Sequence, residues 1–115
     1  MADTPRFDPL ATRAYVLFRS ELREQLRQVE SLTAREGGIR AEDVASIGRT
    51  FHTIKGGAGF FGLSDLARDA GALEALFLGR TERDTAEVAR LLESLRRLSV
   101  SLPEPTGGTD RCPTS

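Results

Sequence analysis

Four stretches of this chain repeat apolar residues every three to four positions, and none alternates them at every second position. A period near 3.6 belongs to a helix with one buried face, and a period of 2 to a half-buried strand. That restricts the chain to an all-α fold. The first stretch opens at Asp8-Pro9, an acid suited to an N-cap before a proline suited to the first helical position. It carries Leu10, Ala14, Leu17, Phe18, Leu22, Leu26, Val29 and Leu32 until Gly37-Gly38 stops it. That is about 26 residues, or about 39 Å of helix at ~1.5 Å per residue. The second starts near Ala41 and turns Val44, Ile47, Phe51, Ile54 and Ala58 inward before Gly59-Phe60-Phe61-Gly62. The third takes Ser64 as its N-cap and buries Leu66, Ala70, Leu73 and Phe77 ahead of Gly79. The fourth begins with Asp84-Thr85-Ala86-Glu87, which has the spacing of a capping box. Its seam is Val88, Leu91, Leu95, Leu98 and Leu102, ended by Pro103.

The links between these segments are short: Gly37 to Arg40, Gly59 to Leu63, and Gly79 to Arg83. Short links make consecutive helices antiparallel neighbours, so the expected architecture is an antiparallel up-down four-helix bundle. At 115 residues the chain has room for one continuous core,. Residues 1–103 are expected to form that domain. Residues 104–115, made of Pro, Gly, Thr and Ser with little apolar content, read as a flexible C-terminal tail or linker,. Sixteen basic residues stand against seventeen acidic ones, a formal charge of −1. With the arginines interleaved among acids, this argues against a nucleic-acid partner. No apolar run approaches the ~20 residues that span a bilayer, and Met1-Ala2-Asp3-Thr4-Pro5 leads into no hydrophobic stretch, so no membrane association and a cytoplasmic location are expected,. Cys112, the single cysteine, can form no intrachain disulfide, in keeping with a reducing compartment,. One histidine and one distant cysteine are too few for a zinc site, and no metal site is expected.

Chemistry has one place to reside. His52 is the only histidine and Lys55 the only lysine, the other fifteen basic residues being arginine. Three residues apart on a helix, the two share a face. His52 stands about 100° around the axis from the seam residue Phe51, at or beyond the edge of the buried stripe. Gly48, Gly56 and Gly59 lie at −4, +4 and +7 from it, on the same side. Each glycine inside a helix is worse than alanine by roughly 1 kcal/mol. Three around one side chain make sense if another molecule's backbone must come close, with Ile47, Phe60, Phe61 and Leu63 nearby for apolar contact. Imidazole, with an unperturbed pKa of ~6.5, is mostly neutral near pH 7 and a good nucleophile. With Nδ1–H held by an acceptor, its Nε2 lone pair could attack the γ-phosphoryl of ATP held by another protein, and Lys55 could pair with the phosphoryl oxygens. Glu74 sits one residue past the seam residue Leu73, as His52 sits one past Phe51. It is the expected acceptor, orienting the imidazole across the groove between helices. Taken singly, each of these residues is ordinary: a solvated histidine, a surface lysine, a surface acid, glycines of a frayed helix end. Their combination sets them apart.

The segment His52-Thr53-Ile54-Lys55-Gly56-Gly57-Ala58-Gly59-Phe60-Phe61-Gly62-Leu63 resembles the His-Ser-Ile-Lys-Gly-Gly-Ala-Gly-x-Phe-Gly signature of histidine phosphotransfer (HPt) domains, most of all the version at the N-terminus of CheA-type chemotaxis kinases. That family's glutamate, 22 residues beyond the histidine, falls on Glu74. The resemblance is close over the second and third helices and extends to the others only as amphipathic lengths. It implies a bundle whose histidine is phosphorylated at Nε2 by a histidine kinase catalytic domain. The phosphoryl group then passes to an aspartate of a CheY/CheB-like response regulator. By the same resemblance Lys55 assists the phosphoryl group, Glu74 holds the other ring nitrogen, and Gly56 leaves room for the docking receiver. No cofactor is expected on this chain: ATP belongs to the kinase partner and Mg²⁺ to the receiver. One departure is Gly71, where CheA-type domains often carry a second histidine. No ATP-binding segment accompanies the motif, so no autonomous catalysis is expected, whether the carrier is free-standing or part of a larger kinase. The competing reading is a helical docking module for response regulators that is never phosphorylated. A hydrolase using His52 as general base would need a nucleophile, an oxyanion donor or a metal set beside it, and none is present.

Overall fold

The computed structural model describes residues 8–79 and 83–105. Among them stand four α-helices and no strand: α1 (Arg13–Thr33), α2 (Ala41–Phe60), α3 (Ser64–Leu78) and α4 (Thr85–Val100), an all-α four-helix bundle. The bundle is antiparallel where α2 meets α3: Gly48 faces Leu78, His52 faces Glu74, and Lys55 faces Gly71. Each step forward along α2 is matched by a step back along α3. The reversal between them takes three residues. Gly62, at φ 75°, adopts the left-handed conformation, donating to the Gly59 carbonyl while Leu63 donates to that of Ala58. These are the two bonds of a Schellman motif, and they satisfy carbonyls that the end of a helix would otherwise leave bare.

The core draws on all four helices. Leu22, Leu26 and Val29 of α1 meet Ile47, Phe51, Ile54 and Ala58 of α2, then Leu66, Leu73 and Phe77 of α3 and Val88, Leu91 and Leu95 of α4. The Phe51 and Phe77 rings lie tilted against each other, 5.9 Å between centroids. That packing fixes how α2 and α3 are rotated, and so which residues they turn to solvent.

The beginning of α1 departs from the expected single 26-residue helix. Asp8 does cap a turn, its carboxylate accepting from the Leu10 amide, but that turn is a 3₁₀ segment, Pro9–Ala11. Thr12 is extended and caps afresh, accepting from the Tyr15 amide, so α1 has 21 residues. Within α1 the buried stripe also differs from the expected one: Leu17 and Ala14 are exposed and Tyr15 is fully buried, on the seven-residue spacing that Leu22 and Val29 continue. Tyr15 packs on Phe61 and donates its hydroxyl to the Pro103 carbonyl at 2.6 Å. Arg19 pairs with Glu104 at 3.3 Å. Glu104, expected to belong to a free tail, is thus tied to α1, while residues 106–115 of that tail lie outside the described residues.

Two caps differ in detail. Leu63, not Ser64, is the N-cap of α3, because Leu63 is already fixed by the Schellman turn and its carbonyl accepts from Ala67. Asp84 caps α4, accepting from the amides of Ala86 and Glu87, but Glu87 pairs with Arg90 instead of returning to the Asp84 amide, so the box is half formed. Between α3 and α4 the structure also buries one acid, Asp69, which accepts from the hydroxyl of the half-buried Ser94. The link expected from Gly79 to Arg83 lies largely outside the described residues.

Candidate functional site

The site is a consequence of two apolar seams. Phe51 and Ile54 are 0% and 1% exposed, and with Leu73 and Phe77 they lock α2 and α3 face to face. The residue after Phe51 and the residue after Leu73 then flank one groove. There His52 Nδ1 lies 2.8 Å from Glu74 Oε2, and Lys55 Nζ lies 3.0 Å from Glu74 Oε1. One carboxylate holds both side chains of the motif. An ionised carboxylate only accepts, so Nδ1 carries the proton and, in the neutral ring, Nε2 keeps the lone pair. The His52 side chain is 67% exposed and no hydrogen bond from the described residues reaches Nε2. The imidazole therefore has one nitrogen tethered and the other turned to solvent.

Glu74 is the least exposed of the three, at 17% against 45% for Lys55. The hydrogen bond from Lys55, then the one from His52, holds its carboxyl below the ordinary glutamate value of 4.5, against the opposing effect of partial burial. Both partners favour the charged form, so Glu74 stays an acceptor at neutral pH. Replacing Glu74 with alanine is expected to release the imidazole to a mixture of tautomers, seen in ¹⁵N ring shifts. An unchanged tautomer would show that Glu74 does not orient the ring.

The glycines divide into two groups. At Gly56 and Gly59 an added Cβ would meet nothing within 4 Å, and both are exposed. Phe60 beside them is 60% exposed, its ring edge-on to Phe61. Gly48 is otherwise: a Cβ there would come within 2.4 Å of Leu78 Cδ2, so its missing side chain makes room for the protein's own α3. Ile47 is 1% exposed and belongs to the core, as does Phe61. Ile47 and Gly48 are therefore corrected from docking residues to packing residues. Gly57, which the spacing argument did not single out, is approached by the Phe18 ring and seats α1 against α2. Gly71 lies under the stem of Lys55, with Cδ 3.1 Å from where its Cβ would be. Among the described residues, no three His, Cys, Asp or Glu side chains gather into a possible metal site, and no helix is long and apolar enough to cross a membrane.

The family model described as Hpt domain matches residues 13–101. Chemotaxis protein CheA of Rhizobium meliloti (strain 1021) is 43% identical over 60 residues, which is 50% of this chain and 8% of that protein. The chain thus spans under a tenth of that relative's length. No solved structure matches. Since the family model runs from the first residue of α1 to just past the last turn of α4, the chain belongs to the Hpt domain family, and its role is histidine phosphotransfer in two-component signalling.

Proposed function

We propose that His52 is the phosphoryl carrier. It accepts the γ-phosphoryl of ATP bound to a separate histidine kinase catalytic domain and donates it to an aspartate of a CheY/CheB-like response regulator. The observation that carries this reading is the ring itself, with Nδ1 held by Glu74 and Nε2 turned outward. The Nε2 lone pair forms the P–N bond as the P–O bond to ADP breaks. The ring gains positive charge while keeping its Nδ1 proton, and the Glu74 carboxylate 2.8 Å away stabilises that charge,. In the second step a receiver carboxylate oxygen attacks phosphorus, the P–N bond breaks, and the electron pair returns to Nε2. ATP sits on the kinase and Mg²⁺ on the receiver, so this chain supplies the nucleophile and its immediate surroundings.

Lys55 answers the charge of the transferred group. Its ammonium waits on Glu74 and, on a flexible four-carbon stem, swings to the phosphoryl oxygens as they arrive,. Lys55→Ala should slow phosphorylation roughly tenfold or more, the effect of one charge-assisted hydrogen bond lost from a transition state, with little change in the thermal midpoint. Unchanged kinetics would remove Lys55 from the mechanism.

Both partners would approach over Gly56, Gly59 and Phe60, where the backbone is bare and one aromatic ring is exposed. A relay needs a complex that forms and releases quickly, which suits a small contact with few charges at its centre. The direct test is incubation with a histidine kinase catalytic core and ATP, followed by addition of a receiver. The expected result is acid-labile, alkali-stable phosphate on this chain that moves to the receiver. Receiver binding with no label would instead identify a docking module that is never phosphorylated.

A further inference from the structure

The stem of Lys55 crosses α3 at the one turn where that helix offers no side chain to obstruct it. A Cβ on Gly71 would lie 3.1 Å from Lys55 Cδ and 3.9 Å from Cγ, so the methylenes rest on the glycine itself. The ammonium then reaches Glu74, three residues along the same helix, at 3.0 Å. Lys55, Gly71 and Glu74 line one side of a shallow groove that is open to solvent. A lysine on a helix surface samples many rotamers, and seating its stem along an apolar surface removes most of them. Glycine is also a poor residue for the middle of a helix, so its presence calls for a reason other than the stability of α3.

We propose that Gly71 is a positioning residue for phosphotransfer: by carrying no side chain, it lets the stem of Lys55 lie flat on α3 and seats the ammonium on the carboxylate that holds His52. The kinetic consequence rests on the carrier reading above, whereas the placement of Lys55 does not. Without that seat the ammonium would be spread over solvent-exposed rotamers when the phosphoryl group arrives. With it, a single cation stands one side-chain swing from the imidazole. As the phosphoryl oxygens draw the ammonium away, the whole carboxylate becomes available to the Nδ1–H of a ring that is gaining positive charge.

Gly71→Leu fills the space under the stem, and the open groove leaves the leucine room to be accommodated. NMR of the unphosphorylated variant should show Glu74 titrating closer to an ordinary glutamate because Lys55 has left it, with His52 still protonated at Nδ1. Its phosphorylation rate should fall to within about twofold of that of Lys55→Ala, and the double variant should be no slower than Lys55→Ala alone. Losses that add in the double variant, or a Glu74 titration identical to that of the native protein, would overturn the proposal. Should the leucine variant fail to fold, Gly71→Ala decides the matter. It should be at least as stable as the native protein, because alanine favours the helix, and should move the Glu74 titration in the same direction by a smaller amount. A stable alanine variant with no such movement overturns the proposal. If the native protein takes up no phosphate at all, the carrier reading fails, and the NMR comparison still decides where Lys55 is held.

Discussion

His52→Gln is expected to take up no acid-labile phosphate while keeping the helical content and unfolding midpoint of the native protein. Glutamine has no nucleophilic ring nitrogen, so the loss of chemistry is complete. The fold should not notice the change, because the side chain is 67% exposed and its one hydrogen bond lies on the bundle surface,. Labelling gels read the first half of this expectation and circular dichroism the second. A glutamine variant labelled as well as the native protein would mean that the phosphate sits elsewhere.

The neighbouring residue should behave in the opposite way. Phe51→Ala removes a ring that is 0% exposed and packed against Phe77. Truncating a buried phenylalanine typically costs about 3–5 kcal/mol, from lost burial and the cavity left behind. Single domains have roughly 5–15 kcal/mol in total, so the variant should be close to unfolding at ordinary temperatures. Urea titration should give a much lower midpoint with an unchanged slope. Where the variant remains folded it should still accept phosphate, since Phe51 touches no reacting atom. A midpoint within error of the native value would mean that the α2–α3 seam does not hold the bundle together. Adjacent residues on one helix, 52 and 51, thus separate chemistry from stability.

The reason so much of the site could be read beforehand lies in those seams. Once Phe51, Ile54, Leu73 and Phe77 are taken as buried, helical geometry alone brings His52 and Glu74 to one groove, where they stand 2.8 Å apart. What could not be read depended on packing between helices that no single-helix pattern records. Gly48 and Gly56 look equivalent around His52, yet Leu78 fills the space beside the first and nothing fills it beside the second. In α1 the buried line runs through Tyr15, Leu22 and Val29, so Leu17, about 140° around the axis from Leu22, is exposed,. Asp69 of α3 is buried beside α4, where the Ser94 hydroxyl donates to it, a pairing between helices that the pattern of α3 does not record. Lys55 was expected to pair with the phosphoryl oxygens. Its seat on Glu74 appears only when α3 is laid beside α2, with Gly71 beneath the stem.

The geometry makes one demand that a single spectrum can check, namely which ring nitrogen bears phosphorus. Long-range ¹H–¹⁵N NMR of the protein phosphorylated by a kinase core should show phosphorus on Nε2 of His52, with the Nδ1 proton still directed at Glu74. Phosphorus on Nδ1, or on any other residue, would contradict the account.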